Sequence, residues 1–316
     1  MEFQLSDKAK DYIARTKAFI QTEIEPIEAE FWQAAHKLNP TGDWTTWQWP
    51  AKLEELKTKA RAQNLWNMFL PDEQLGQGLS VQEYAHIAEL SGRSLIAPHV
   101  FNCNAPDSGN MELIWRYGND AQKQQWLTPL LAGEIRSVFG MTEPAVASSD
   151  ATNMQATAIV EGDEIVLNGR KWWSSGLGDP NAKLIIFMAH APDERKDRHH
   201  QHTMVLVPID AKGVKIERML KVFNDYDAPH GHGEMLFDNV RVPLSNVIGG
   251  AGEGFAIAQG RLGPGRIHHC MRCIGAAEKS LELAIDRGLS RSAFGKPLLD
   301  LGGNRERIAD ARVKID

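Results

Sequence analysis

The 316-residue sequence contains only three cysteines, Cys103, Cys270 and Cys273, too few and odd in number for a disulfide framework. It lacks any stretch approaching the roughly 18 consecutive apolar residues that a spanning helix needs, so no membrane span is expected. Its start, Met1 to Lys10, is charged and has no apolar run, which argues against a secretory leader. A basic excess is missing as well: the net charge is −6, which disfavours a nucleic-acid partner whose phosphates would need neutralising. Gly76-Gln77-Gly78 lacks the third glycine and the preceding strand of a dinucleotide fingerprint, so no nicotinamide site is indicated. Internal repeats and low-complexity tracts are also missing. What is there, 42% hydrophobic and 24% charged residues, reads as a soluble, cytoplasmic protein of about two domains.

The first 130 residues have helical periodicity. Ile20, Ile24, Ile27 and Phe31 fall on one helical face, with Ser6 placed to cap the helix before them. Asn39 to Pro50, with two prolines, a glycine and three tryptophans, reads as a loop, and helices are expected over 52–64, 81–95 and 120–131. From Ser137 to Gly250 the period changes to short β-branched and aromatic runs. Thr157 to Val160 and Glu164 to Leu167 flank Gly162-Asp163, a hairpin signal, and further strands are expected at 184–188, 204–208 and 235–242. These are expected to pair antiparallel in a barrel or sandwich, with Arg195 to His202 as a solvated loop between two of them. Helical spacing returns after Gly252, where Ile274, Ala277, Leu281 and Ile285 mark an apolar face, and a further helix begins at Arg305. The expected fold is α+β, with a helical region (1–136), a β-domain (137–250) and the beginning of a helical bundle (251–316).

Two stretches carry chemistry. Phe139 to Asp150 (FGMTEPAVASSD) offers backbone N–H groups and the hydroxyls of Thr142, Ser148 and Ser149 at close range. That suits the hydrogen-bonding edge of a flat ring or a phosphate, and equally an ordinary serine-rich turn. Lys171 to Gly176 (KWWSSG) pairs tryptophans with hydroxyls, either as an aromatic wall with polar handles or as core packing at a strand end. Cys270-Met271-Arg272-Cys273 falls inside a helical pattern and reads as buried packing cysteines. The adjacent His268 and His269 point in different directions on a helix, so no metal site is expected.

The order of GEIRSVFGMTEP (133–144), Ser149-Asp150 and KWWSSG (171–176) resembles the acyl-CoA dehydrogenase family. So do YGNDAQKQQWLTPLLAGE (117–134) and RSAFGK (291–296), so the resemblance runs along essentially the whole chain. RLGPGRIHHCMR (261–272) resembles the subgroup whose animal members are fused to a phosphotransferase-like domain.

The resemblance implies a helical domain, a middle β-barrel and a four-helix bundle, assembled as a homodimer or homotetramer, with FAD between the last two. It places Phe139, Gly140, Met141 and Thr142 along the isoalloxazine, Trp173 near it, and Ser174 and Ser175 at its ring edge or phosphates. Ser148 joins this cofactor group, and Ser149 is expected to reach both cofactor and CoA. Arg291 is expected to contact FAD across a subunit boundary, and Gly263, Pro264, Gly265 and Arg266 to form the turn that touches the acyl thioester. The implied activity is α,β-dehydrogenation of an acyl-CoA to a trans-2-enoyl-CoA, with electrons passed to an electron-transferring flavoprotein. A non-catalytic flavin or acyl-CoA binder and a same-fold flavin oxidase or monooxygenase are the alternatives. The family's usual base, a glutamate, is expected beyond Asp316, and the position used by a minority of members is Gly265 here. No catalytic base is therefore assigned. The family's FAD-bonding glutamine is also missing, its region reading Leu301-Gly302-Gly303.

Overall fold

The computed structural model describes residues 4–193 and 197–316. The helical region comprises α1 (Asp7–Phe19), α2 (Glu28–Leu38), α3 (Lys52–Ala62), α4 (Val81–Gly92), α5 (Ala97–Val100), α6 (Asp107–Tyr117), α7 (Asp120–Gln122) and α8 (Thr128–Ala132). Local signals start these helices where the sequence suggests. The Ser6 hydroxyl accepts from the Ala9 N–H, and Ser80 and Glu83 form a reciprocal capping box at α4. Ile20, Ile24 and Phe31 are buried as one stripe, with Ile27 packed partly buried against it.

The sheet contains β1 (Arg136–Gly140), β2 (Thr157–Glu161), β3 (Glu164–Ser175), β4 (Ala182–His190), β5 (His202–Pro208), β6 (Val214–Met219) and β7 (His232–Pro243). Its order is β1-β4-β2-β3-β7-β6, with β5 also paired to β4. The two-residue hairpin at Gly162-Asp163 is present, since Glu161 pairs directly with Glu164. The expectation of purely antiparallel pairing needs correction: β1 runs parallel to β4, and β2 touches β4 in the parallel sense. A parallel partner requires a long crossover, and residues 141–181 supply it by building a hairpin on the way. β6, with its charged VKIERM sequence, lacks the apolar run by which the other strands are recognised.

α9 (Gly254–Ser290) crosses the helical region and is followed by a small hairpin, β8 (Ser292–Ala293) with β9 (Lys296–Pro297), and by α10 (Asn304–Ile315). α4 and α9 approach to backbone contact. A Cβ on Gly275 would stand 1.8 Å from the Glu89 carbonyl oxygen, and one on Gly92 would stand 2.1 Å from that of Arg272. Glycine is therefore required on both helices at the crossing.

Three local expectations change. Gly263 to Arg266 form no turn; they lie inside α9, with Pro264 in the helix interior. Cys270 and Cys273 are exposed and free rather than buried. In the span expected to be a solvated loop, Arg195 and Lys196 fall outside the described residues and Arg198–His200 is a short 3-10 turn. His202, by contrast, is buried in β5 opposite His190, because the strand begins earlier than its apolar run.

Candidate active site

β1, β3, the start of β7, α9 and the α5–α6 connection surround one cleft of about 630 Å³. That lies within the range of small-molecule sites, roughly 300–1,000 Å³.

The sheet wall is fixed from inside. The loop after β1 is held by a buried ion pair, Lys171 Nζ to Glu143 Oε1 at 2.8 Å, and the same ammonium donates to the Met141 carbonyl at 3.0 Å. The Glu143 carboxylate also accepts the N–H groups of Gln155 and Ala156, at 2.7 and 3.0 Å. Burial pushes Lys171 down to about 8, against the opposing pull of Glu143. Ser148 braces the same loop, its hydroxyl accepting from the Glu143 N–H at 2.8 Å. The start of β1 is tied to α6, where Asp107 accepts from both the N–H and the hydroxyl of Ser137 at 2.7 Å.

The Trp-Trp pair sits on a bulge. The β3–β7 register shifts between Lys171 and Ser174, and Trp173 has φ +51°. A non-glycine residue in that region costs on the order of 1–3 kcal/mol, and such outliers cluster at functional sites. The bulge turns the Trp173 indole, 41% exposed, to the cleft, while Trp172 is not among the lining residues. Two polar atoms here are buried without a partner, Trp172 Nε1 and Ser174 Oγ. Ser175 pairs with His232 across the strands, its Oγ 2.9 Å from His232 Nδ1, and His232 Nε2 lies 3.3 Å from Asp227 Oδ2.

The helical wall is cationic. Arg261 stacks over the Phe139 ring at 3.9 Å and donates to Asn110 at 2.9 Å. Burial pushes its guanidinium down to about 10, although Asp107 and Glu112 pull the other way. His269 and Arg272 line the same wall. Burial, then Arg272 and Arg261, hold His269 below the ordinary histidine value. His99 is held well below it, first by burial and then by His230.

Of the residues singled out from sequence, Phe139, Met141, Thr142, Trp173 and Ser175 line this cleft. Gly140 lies behind it, where a Cβ would meet the Met235 side chain at 2.8 Å. Ser149 sits exposed on the loop and is not among the lining residues. Gly263, Pro264, Gly265 and Arg266 are not among them either, and Arg266 is exposed with its side chain on Gln259. A Cβ at Gly263 or Gly265 would meet nothing within 4 Å. Arg291 caps the far end of α9, thirty residues from Arg261 and so roughly 45 Å along the helix axis.

Sequence reasoning missed the buried Lys171–Glu143 pair and the polar end wall of His99, Asp227, His230 and His232. It also missed the wall formed by Arg261, His269 and Arg272. Their spacing of eight and eleven residues repeats one helical face and was the available signal.

The family models describe these three regions in order: the acyl-CoA dehydrogenase N-terminal domain over 6–134, the middle domain over 138–240 and the C-terminal domain over 252–316. The probable acyl-CoA dehydrogenase FadE2 of Mycobacterium tuberculosis is 49% identical over 318 residues, covering 100% of this chain and 76% of its own length. The chain belongs to the acyl-CoA dehydrogenase family. A solved Mycobacterium abscessus structure assigned to the acyl-CoA dehydrogenases is 58% identical with a TM-score of 0.94, covering 99% of this chain and 77% of that one. Mouse acyl-CoA dehydrogenase family member 10 is 48% identical over 99% of this chain, and the chain spans 29% of that protein's length. Among the described residues, no helix is long and apolar enough to cross a membrane, and no cluster of metal-binding side chains is present.

Proposed function

We propose that the cleft holds FAD and an acyl-CoA thioester, and that the protein takes part in α,β-dehydrogenation of the acyl group to a trans-2-enoyl-CoA. The observation that carries this reading is the bulge, which turns an exposed indole into the cleft and leaves buried polar atoms beside it without partners. A flat, hydrogen-bonding ring system fits such a surface. In this reading FAD, when bound, supplies the two-electron acceptor. Electrons then pass to an electron-transferring flavoprotein.

The protein's own residues position the reactants. Phe139, Gly140, Met141 and Thr142 form the strand end along the ring, and Trp173 packs on it. Thr142 and Ser175 present hydroxyls, Ser174 is assigned to the ring edge from the buried side of the strand, and Ser149 is assigned to the CoA portion. Gly263 and Gly265 leave open space on α9 that accommodates the thioester side of the substrate. Arg261 supplies fixed positive charge in a low-dielectric wall, where developing enolate charge is stabilised most strongly. Removal of the α-proton needs a general base, which the family resemblance expects to be a carboxylate. Asp227, the only carboxylate among the described residues lining the cleft, is half-exposed and committed to His232. We therefore assign no base within residues 1–316. Arg291, so far along α9 from Arg261, serves the cleft of a second copy in this reading, which makes the protein a homo-oligomer.

The test is reconstitution with FAD, followed by addition of a saturated acyl-CoA. Trp173→Ala should lose FAD readily while Trp172→Ala retains most of it. A protein that takes up no FAD would sink the reading, and equal retention by the two variants would remove the bulge as its support.

A further inference from the structure

At the cleft's sheet end three side chains form a continuous chain of polar contacts, the first a hydrogen bond and the second a close imidazole–carboxylate approach. Ser175 Oγ is 2.9 Å from His232 Nδ1, and His232 Nε2 is 3.3 Å from Asp227 Oδ2. Ser175 and His232 face one another directly across β3 and β7, so the sheet register itself sets the first contact. Asp227 reaches the imidazole from the preceding loop. Its backbone φ of +55° and the bond from its N–H to the Asp225 carboxylate hold that loop. All three line the cleft, and the Trp173 ring lies 6.4 Å from that of His232.

The chain has two proton arrangements with opposite consequences for the cleft. With His232 neutral and its Nε2–H donated to Asp227, Nδ1 is an acceptor. The Ser175 hydroxyl then spends its proton on Nδ1 and turns only lone pairs to the cleft. With His232 protonated, Nδ1–H donates to Ser175 Oγ, and the Ser175 proton is freed to point at whatever occupies the cleft. Asp227 stabilises the imidazolium in the second state and fixes the tautomer in the first.

We propose that His232 and Asp227 are positioning residues that set whether Ser175 offers a hydrogen-bond donor or an acceptor to the cofactor. This rests on the reading of the cleft as a flavin site. An oxidised flavin edge presents an acceptor nitrogen where the reduced ring presents an N–H. The protonated relay therefore favours the oxidised ring and the neutral relay the reduced one. The other charged or titratable groups sharing the cleft with His232 are His230, 6.2 Å away ring to ring, His99 behind it, and Arg261, His269 and Arg272 on α9. These five remain in the variants below, so their contribution is common to every protein compared.

The experiment uses the FAD-loaded protein and reads the flavin's absorption spectrum and midpoint potential between about pH 5 and 8, the range in which histidines change charge. The wild type should show a spectral shift, and a bend in the potential, that are both missing from His232→Gln. Asp227→Asn, at a half-exposed position that tolerates substitution, should change the bend, because Nε2 of His232 loses its carboxylate partner. Melting curves confirm that each variant is folded. Should His232→Gln fail to fold, Asp227→Asn alone decides, and an unmoved bend in it overturns the relay. If the protein binds FAD and both variants track the wild type at every pH, the relay is overturned while the flavin site stands. If the wild type takes up no FAD, the flavin reading falls and the relay with it.

Discussion

The two walls of the cleft are built on different principles. The sheet wall is closed by buried polar contacts: Lys171 with Glu143, and Asp107 with Ser137. The loop after β1 is tied to a charged group on β3, and the start of β1 to one on α6. The wall formed by α9 leans on the backbone approach at Gly275 and Gly92, with the ion pairs Arg93–Glu282 and Lys279–Glu25 beside it. Its first half and centre pack Ile257, Ala258, His268 and Gly275 against neighbouring elements. Its second half carries Leu283 and Leu289 at 57% and 58% exposure. One wall is closed by fully buried polar contacts, the other by close approach of two backbones with partly exposed ion pairs beside it, so they should fail under different insults.

The sharpest way to break the sheet wall is Glu143→Ala, which strands a fully buried ammonium. Removing one partner of a buried pair costs about 3–5 kcal/mol, and Lys171 is fully buried. Urea titration of the variant should show a loss of that size, and a loss under 1 kcal/mol would show that the pair is not what holds this loop.

The helical wall should respond to acid. His268 is buried against Tyr84, its Nε2 has no partner, and burial pushes it from 6.5 down to about 4, with Arg272 acting in the same sense. Between those values the unfolded chain binds a proton that the folded chain refuses, so stability is intact above pH 6.5 and falls as pH drops toward 4. The loss approaches ~3 kcal/mol at about 1.4 kcal/mol per unit. His268→Gln should show a shallower fall between pH 6.5 and 4.5 than the wild type, and parallel curves would refute the assignment.

The smallest effects separate the packed crossing of α9 from its exposed end. Gly275→Ala drives a methyl group into the Glu89 carbonyl and should cost about 1–3 kcal/mol, as overpacking does. Leu283→Ser, on the exposed half, should stay within about 0.5 kcal/mol. Equal melting shifts for the two would erase the distinction.

What could be read from the sequence follows the same division. Caps, the hairpin at Gly162-Asp163 and the apolar strands announce themselves locally, because propensity and periodicity act over a few residues. The strand end from Phe139 to Thr142 and the Trp173 position were legible for that reason and through family resemblance. The parallel β1–β4 pair was not, since it joins residues separated by a whole hairpin. The end wall was also hidden: His99 lies in α5 and Asp227 to His232 more than a hundred residues later, and only the tertiary fold brings the two stretches together. Gly263 to Arg266 misled for the opposite reason. Two glycines and a proline are turn chemistry locally, yet tertiary packing of α9 carries the helix through them.

The glycine crossing also gives α9 a mechanical character. At 37 residues the helix is about 55 Å long, and the crossing at Gly275 falls 21 residues after Gly254 and 15 before Ser290, not far from its midpoint. Arg261 lies 14 residues to one side and Arg291 16 to the other, arms of about 21 and 24 Å. Such a rod is a seesaw on a glycine fulcrum. A tilt of only about 3° at the crossing shifts Arg261 against the Phe139 ring by roughly 1 Å and swings Arg291 by a similar amount the other way. A partner that tilted α9 at Arg291 would by this geometry also be felt at the guanidinium in the cleft.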